Sequence, residues 1–197
     1  MVVDYKSSPK QLDSVLLAHG LQLQLLSYLN VLRRWPDPKT LFGVRRLIPA
    51  GVFYVSLRGR YERQANRTQA LAEPEMARKL AYRHSGRFDA GYLKQLDCRP
   101  GIRKGDQFNF RCSAKGEIHK NSRDAVTTTE FQELLDQVEQ NLKLMGAKIF
   151  SGAAAVAPYR KGIVTACAQC DFQAICRVDP WTVSYRVLKA DPMPRAN

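Results

Sequence analysis

The sequence contains no apolar run approaching the roughly 18 residues that a membrane-spanning helix needs. It also lacks a basic start followed by an apolar stretch, the pattern of a secretory signal. Acidic residues are scarce, with 18 Asp and Glu against 31 Lys and Arg, and 45% of the residues are hydrophobic, which is too many for a disordered chain. We therefore expect no membrane partner and a cytoplasmic location. The length of 197 residues suits one domain with an appendage.

The five cysteines are too few for the disulfide scaffold of a secreted protein. Two of them stand alone, whereas Cys167, Cys170 and Cys176 fall within ten residues. Clustered thiols in a chain without an export signal favour metal ligation over disulfides. Thiolates select zinc or iron–sulfur centres, which usually take four ligands, and this segment supplies three. Three free, buried cysteines are the alternative interpretation.

The basic residues are concentrated between Arg45 and Lys104, where fourteen of them stand against five acidic residues. A field of that sign attracts polyanions and releases counterions from phosphate backbones. A solvated basic surface would have the same composition, but nucleic acid is the favoured partner. The sequence has no Gly-x-x-x-x-Gly-Lys-[Ser/Thr] loop, so ATP hydrolysis through a P-loop is excluded.

Apolar periodicity and breaker residues predict a chain that mixes strands and helices. Strands are expected at 1–6, 52–57 and 108–112, a loop at 58–67, and helices at 16–32, 76–84 and from a capping box at Thr127 to about 152. The leucine-rich first helix should be buried on several sides. The last helix has an apolar face formed by Phe131, Leu134, Leu135, Val138, Leu142, Met145 and Ile149.

Asp4 and Lys6 lie two residues apart on the first predicted strand, so they project from one face while Tyr5 points away. A carboxylate suits Mg²⁺, and a lysine beside the metal can position or help deprotonate an attacking water and offset charge at a phosphate. Gln24 and Tyr28, four residues apart, share one face of the leucine-rich helix. Taken singly, an exposed salt bridge, a solvated glutamine and a core tyrosine are the commoner explanations.

Taken together, these residues resemble a known pattern. The run Val3-Asp4-Tyr5-Lys6-Ser7-Ser8, followed by Gly20-Leu21-Gln22-Leu23-Gln24-Leu25 and Tyr28, resembles the second half of a RecB-like PD-(D/E)XK nuclease core. The run Ala166-Cys167-x-x-Cys170-x-Phe172-x-x-Ile175-Cys176-Arg177 resembles the iron–sulfur segment at the end of AddB (RexB) subunits of bacterial AddAB helicase–nucleases. These motifs occur in the same order as in the family, and together they span nearly the whole chain.

The resemblance implies a role for each matching residue in the first half of the chain. Asp4 would be the metal-binding acid for Mg²⁺, and Lys6 would be the catalytic lysine of the (D/E)XK motif. Gln24 and Tyr28 would form the Gln-x-x-x-Tyr motif that RecB-like nucleases carry.

The resemblance also implies a cofactor and a fold. Cys167, Cys170 and Cys176 would be three ligands of a [4Fe-4S] cluster that ties the domain's end to its beginning. The fold would be α/β: a partial restriction-endonuclease-like core with a small mixed sheet, flanking helices and a helical, cysteine-bearing C-terminal segment. The nuclease part would occupy residues 1–160, the cysteine segment residues 161–190, and a flexible tail the remainder.

The function that the resemblance implies is Mg²⁺-dependent exonuclease hydrolysis of DNA, with an AddA-type helicase–nuclease subunit as partner, in double-strand-break repair and recombination. The family's fourth cluster cysteine and its other metal-binding acid lie upstream of the segment that Met1 begins. We therefore expect a C-terminal fragment that is poorly stable and nearly inactive alone. Robust exonuclease turnover that Lys6→Ala abolishes would contradict this expectation.

A different class of function also fits the sequence: a non-catalytic DNA-binding module stabilised by a metal. Zinc would be held by the three clustered cysteines with a fourth ligand such as His119, and the basic middle of the chain would contact phosphates. Zinc without iron or sulfide, together with DNA binding insensitive to Asp4→Ala, would favour this module. A gene remnant without activity is the third possibility.

Overall fold

The computed structural model describes residues 1–59, 66–72, 74–119, 122–179 and 181–189. Most of the loop predicted at 58–67 and the whole predicted tail lie outside the described residues. The chain forms two compact units: the first comprises Met1–Leu12 and Gln22–Glu139, and the second comprises Asp13–Leu21 and the described residues from Gln140 onward. The functional division predicted at residue 160 stays a prediction.

Seven strands and eight helices are formed by the described residues. The strands are β1 (Val2–Lys6), β2 (Gly51–Ser56), β3 (Ser85–Asp89), β4 (Ala125–Val126), β5 (Tyr159–Lys161), β6 (Val164–Thr165) and β7 (Arg186–Val187). The helices are α1 (Ser14–Ala18), α2 (Gln24–Arg33), α3 (Pro38–Phe42), α4 (Arg67–Ala72), α5 (Pro74–Ala81), α6 (Leu93–Leu96), α7 (Thr128–Phe150) and α8 (Gln173–Cys176). None of these helices combines the length and the apolar character needed to cross a bilayer.

The first unit is built on a four-stranded mixed sheet in the order β1-β2-β3-β4. β1 runs parallel to β2, with Asp4 opposite Tyr54 and Lys6 opposite Ser56. β3 is antiparallel to β2, and the short β4 pairs with β3 in parallel. Since side chains alternate along a strand and paired residues share a face, these four side chains project from one face of the sheet. The sheet and its helices confirm the predicted α/β class.

The other face of this sheet carries a cluster of buried phenylalanines. Phe53 and Phe88 come from β2 and β3, and Phe108 and Phe110 come from the segment after α6. Their ring centroids lie 5.1–6.2 Å apart, in the range where aromatic pairs attract one another. The strand predicted at 108–112 forms only isolated β-bridges. The predicted alternation of side chains is nevertheless present, because Phe108 and Phe110 both point into the buried cluster.

α2 packs against β1 and β2, and its buried leucines are Leu25, Leu26 and Leu29. The predicted continuous helix at 16–32 is wrong, because α1 ends at Ala18 and α2 begins at Gln24. Between them Gly20 has a φ of +76°, a conformation that an L-residue with a side chain adopts only at a cost. Tyr28 is 48% exposed, so α2 is buried on one side and not on several.

α7 begins at the predicted capping box: the backbone N–H of Thr127 donates to Glu130 Oε2 at 2.8 Å, and that of Glu130 donates to Thr127 Oγ1 at 3.2 Å. Its first half is buried and linked to α2, since the side chain of Asn30 donates to the Leu135 carbonyl at 2.8 Å. Only the first half of the predicted apolar face lies in the core. In the second half Leu142, Met145 and Ile149 are exposed.

The second unit contains a small sheet in the order β6-β5-β7. Its C-terminal segment is therefore not the helical one predicted, because α8 has only four residues. β5 pairs antiparallel with β6 and parallel with β7, so three short strands frame the cysteine-bearing turn. Lys161 forms an ion pair with Asp13, which also caps α1.

Candidate active site

Four polar side chains at the end of β1 and the start of α2 are linked in series by an ion pair and two hydrogen bonds. The Nζ of Lys6 lies 2.9 Å from Oδ2 of Asp4 and donates to Oε1 of Gln24 at 3.3 Å. The Nε2 of Gln24 in turn donates to the hydroxyl of Tyr28 at 2.8 Å. The four residues that the sequence singled out in the first unit are therefore brought together, although Lys6 and Gln24 are separated by 18 residues. Their catalytic roles stay a prediction.

The positions of these side chains follow from the packing of α2 on the sheet. Leu25, Leu26 and Leu29 are buried, so Gln24 and Tyr28 must lie on the helix surface that adjoins the polar strand end. Each side chain of the Asp4–Lys6 pair is about a quarter exposed or less. Apolar packing of α2 on the sheet thus fixes the position of the cluster, and the side chains of Gln24 and Tyr28 are exposed to solvent.

The contact with the Asp4 carboxylate is the main reason why the pKa of Lys6 is raised, and it outweighs partial desolvation of the amine. Lys6 is therefore a cation at neutral pH. An ammonium in this state can offset negative charge and orient a water, but it has no free electron pair with which to act as a base. The deprotonating role considered from the sequence stays a prediction.

Three further residues at this site were missed by the sequence reasoning. Tyr54 and Ser56 lie on β2 opposite Asp4 and Lys6, and the ring of Tyr54 lies 5.8 Å from the Nζ of Lys6 and 5.9 Å from that of Lys10. Tyr54 is only 3% exposed, and burial raises the pKa of its phenol. The only signal in the sequence was the period-two alternation along β2, which does not reveal the register with β1.

The donor set at this site fits a hard cation such as Mg²⁺ only in part. The Oδ2 atom of Asp4 is buried and, apart from Lys6, has no hydrogen-bond partner among the described residues. The buried Oγ of Ser56 likewise has none. However, within the described ranges no three side chains of His, Cys, Asp or Glu are grouped to hold a metal. Asp4 thus fits as one carboxylate ligand of a Mg²⁺ ion that keeps waters and substrate oxygens as its other ligands.

The three clustered cysteines are not brought together in the same way. Cys170 and Cys176 are exposed, and Cys167 is half-buried beside Tyr185, whose pKa is raised by a hydrogen bond with the Cys167 thiol. Among the described residues, no three potential ligands are grouped to hold a metal. The ligand assignments for both metals stay predictions.

Comparison with known proteins agrees with this geometry. A model of the PD-(D/E)XK nuclease superfamily matches residues 1–177. Curated relatives named as the B subunit of an ATP-dependent helicase/deoxyribonuclease also match. The one from Desulforamulus reducens is 29% identical over 180 residues, which are 91% of this chain and 15% of the relative. Those from Alkaliphilus metalliredigens and Bacillus thuringiensis are 28% and 30% identical, each over 90% of this chain and 15% of the relative.

These matches confirm the resemblance to the B subunits of helicase–nucleases, of which the chain spans about 15% of the length. They also confirm the fold predicted for the nuclease core, with its mixed sheet and flanking helices. The matched region contains the strand that bears Asp4 and Lys6 and the helix that bears Gln24 and Tyr28. The chain belongs to the PD-(D/E)XK nuclease superfamily.

Proposed function

We propose that this chain is a nuclease region that hydrolyses phosphodiester bonds of DNA with the help of Mg²⁺. The observation that carries the proposal is the series of side-chain contacts that links Asp4, Lys6, Gln24 and Tyr28. These residues lie in a chain that belongs to a nuclease superfamily. The carboxylate and the ammonium lie on one strand, and two polar side chains of α2 orient the ammonium. Such a set can bind a metal and offset the charge that develops in phosphodiester hydrolysis.

Each side chain has a distinct task in this proposal. Asp4 would hold Mg²⁺, which when bound supplies Lewis-acid stabilisation of the phosphate and a more acidic water. Lys6, as a cation, offsets the negative charge that develops on the phosphate oxygens and donates a hydrogen bond to the attacking water. Gln24 accepts from Lys6 and so fixes the direction of its amine, and Tyr28 fixes Gln24 by accepting from its amide.

The residues missed by the sequence reasoning support the same proposal. Tyr54 presents its ring to the amines of both Lys6 and Lys10, which restrains them by cation–π attraction. Ser56, opposite Lys6 in the register of β1 and β2, places there a buried hydroxyl without a partner among the described residues, which a water would satisfy. We propose that both are positioning residues.

The biological setting is proposed from the names of the relatives. Those proteins are called B subunits of ATP-dependent helicase/deoxyribonucleases, so we propose that this region acts as an exonuclease within a cytoplasmic helicase–nuclease complex with an AddA-type partner, in double-strand-break repair and recombination. Asp4 is the one carboxylate of the described site, so Mg²⁺ should bind weakly and the isolated chain should turn over slowly.

The proposal is tested by combining single-turnover cleavage with direct metal binding. With the chain in excess over end-labelled linear DNA, we expect slow, Mg²⁺-dependent hydrolysis that Lys6→Ala lowers by at least about a hundredfold. Lys115→Ala, at an exposed hairpin position, is the control and should leave the rate unchanged. Mn²⁺ binding followed by electron paramagnetic resonance should be lost in Asp4→Asn.

Two results would contradict this function. One is cleavage that is indifferent to Mg²⁺ or to Lys6→Ala, and the other is Mn²⁺ binding that survives Asp4→Asn. Zinc in the purified protein, with DNA binding insensitive to Asp4→Ala, would instead support the non-catalytic module.

We also propose that Cys167, Cys170 and Cys176 bind an iron–sulfur cluster in the assembled protein. The support is their spacing and the exposure of two of the thiols, which leaves them accessible to an iron centre. Anaerobic reconstitution should yield iron and acid-labile sulfide in equal amounts, and Cys170→Ser should abolish both. Iron binding at the same level in Cys170→Ser would show that the cluster is held elsewhere.

A further inference from the structure

A basic pocket in the first unit plays no part in the active site described above. It has a volume of about 270 Å³ and is lined by Asn109, Arg111, His119, Ser122 and Arg123. Every one of these side chains can donate a hydrogen bond, and two of them carry a permanent positive charge. In this segment the sequence predicts the alternation at 108–112 and, in the zinc alternative, a ligand at His119. The nuclease function proposed above does not use these residues.

The pocket exists because this segment has one apolar side and one polar side. Phe108, Phe110 and Cys112 point into the phenylalanine cluster, which forces Asn109 and Arg111 to the opposite side. Gly105 permits the close packing beneath them, since a Cβ at that position would lie 2.2 Å from the Phe108 carbonyl oxygen. The floor is therefore part of the core, and the pocket is preformed.

Backbone hydrogen bonds fix the walls of the pocket. The N–H of His119 donates to the Arg111 carbonyl at 2.8 Å, and the N–H of Ser122 donates to the His119 carbonyl at 2.8 Å. The N–H of Arg111 donates to Oγ of Ser122 at 3.0 Å, and Ser122 is buried. The hydroxyl and the two segments that carry the cations are thus held in one arrangement before any ligand arrives.

The pocket carries the positive charges of Arg111 and Arg123. Among the described residues no carboxylate forms an ion pair with Arg111 or Arg123. The nearby Asp124 faces Arg87, and Asp106 is engaged by Arg99. Lys104 pairs with Arg111 across an antiparallel bridge and adds a further exposed cation. Two guanidinium groups without a carboxylate partner among the described residues, beside a hollow lined by donors, suit an anion with several acceptor oxygens.

We propose that this pocket binds a backbone phosphate of the DNA strand, as a subsite separate from the catalytic residues. The inference rests on the proposed function for the identity of the nucleic acid, while the phosphate chemistry rests on the pocket alone. The two arginines would chelate the phosphate, and Asn109 and His119 would donate the remaining hydrogen bonds. The hydroxyl of Ser122 donates to the Arg111 carbonyl at 3.4 Å and so helps to fix the wall of the pocket. The subsite would hold the strand in register and would not read its bases.

Binding of single-stranded DNA is measured in the Lys6→Ala background, where the substrate stays intact. Fluorescence anisotropy of a labelled oligonucleotide gives the dissociation constant over a range of salt concentrations. The double variant R111Q/R123Q should bind at least about tenfold more weakly, and the slope of log K against log salt should fall by about 0.7 for each arginine removed. K39Q/K115Q removes the same charge at exposed positions outside the pocket and should lose less than about threefold.

Equal losses in the two double variants would overturn the proposal, because the effect would then be one of net charge. Affinity that depends on a 5′-terminal phosphate would also overturn it, because the ligand would be a chain end and not the backbone. Inorganic phosphate should shift the His119 ring resonances of the parent and leave those of R111Q/R123Q unchanged. A shift of equal size in both would contradict the site.

Failure of this proposal is distinguishable from failure of the nuclease proposal. Loss of binding in R111Q/R123Q without any Mg²⁺-dependent cleavage in the parent would support the subsite and contradict the nuclease. Both arginines are exposed, so the folding transition should be unchanged. If the double variant does not fold, Arg123→Glu alone should weaken binding at least about tenfold, and unchanged binding would overturn the subsite.

Discussion

The polar cluster of the first unit and the cysteine segment of the second unit differ in what holds them in place. Asp4 and Lys6 stand on a strand whose neighbour β2 is buried, and Gln24 and Tyr28 stand on a helix whose other side is buried. Around Cys167, Cys170 and Cys176, by contrast, the apolar residues Phe172 and Ile175 are 66% and 82% exposed. Packing positions the first set of side chains, whereas little packing positions the second. In this chain, polar side chains are therefore brought together where the elements that carry them pack against the apolar core.

The largest expected effect separates the two regions by stability. Phe88→Ala should lower the free energy of unfolding by about 3–5 kcal/mol, because it empties a fully buried site in the phenylalanine cluster. Phe172→Ala should change it by less than about 0.5 kcal/mol, because that ring is exposed. Urea unfolding followed by circular dichroism measures both. Comparable losses of unfolding free energy in the two variants would contradict the difference in packing between the two regions.

A second experiment tests whether buried polar contacts fix α2 against α7. Asn30 is 6% exposed, and its amide donates to the Leu135 carbonyl. Asn30→Ala should cost about 1–3 kcal/mol in the free energy of unfolding, since a buried carbonyl loses its side-chain partner. Asn109→Ala, at a half-buried position in the polar pocket, is the control and should cost less. A smaller loss for Asn30→Ala than for the control would show that this contact contributes little.

A third experiment asks whether packing alone positions the amine of Lys6, the proposed catalytic lysine. Gln24→Ala removes the acceptor for Lys6 while leaving the buried leucines of α2 in place. We expect single-turnover cleavage to fall about tenfold with an unchanged folding transition, because a freely rotating amine offsets charge less well. Ser27→Ala, whose hydroxyl bonds to the Leu23 carbonyl one turn earlier, should leave the rate unchanged. An unimpaired Gln24→Ala variant would mean that the amide is dispensable.

The smallest expected effect concerns pH and a surface cluster of the first unit. The Arg99 guanidinium lowers the pKa of Asp106 from its ordinary value of 3.8 to about 2. A carboxyl with a depressed pKa adds stability above its unfolded pKa and loses it as the pH falls towards the folded value. Between about pH 5 and pH 2.5 the parent should therefore lose slightly more stability than Asp106→Asn. Chemical denaturation at the two pH values measures the free energy of unfolding of each protein. Equal losses of stability in the parent and in Asp106→Asn would refute the prediction.

The sequence predicted β1, β2 and α7 well because each carries a local signal. The capping box at Thr127 and Glu130 marks the start of α7, and the apolar run at 52–57 marks β2. The leucine-rich helix was predicted as one piece because its leucines continue through the break, and the left-handed conformation of Gly20 leaves no trace in hydrophobic periodicity. Local patterns thus locate elements better than they locate their ends.

The site could be predicted only where a motif names its residues. Asp4, Lys6, Gln24 and Tyr28 form recognisable spacings within their own elements, and the resemblance to a nuclease family joined the two pairs. Tyr54, Ser56 and the basic pocket depend on strand register and on chain crossings between distant segments. Such contacts depend on how the whole chain folds, so they cannot be predicted from composition or from hydrophobic periodicity.

The central claim is that the Asp4–Lys6 strand end is a metal-dependent phosphodiester hydrolysis site. Its most direct test is paramagnetic broadening of backbone amide resonances by Mn²⁺, used in place of Mg²⁺. We predict broadening centred on Asp4 and on its neighbours in β1 and β2, and loss of this pattern in Asp4→Asn. Broadening centred on residues outside β1, β2 and α2, or a pattern that survives Asp4→Asn, would contradict the account.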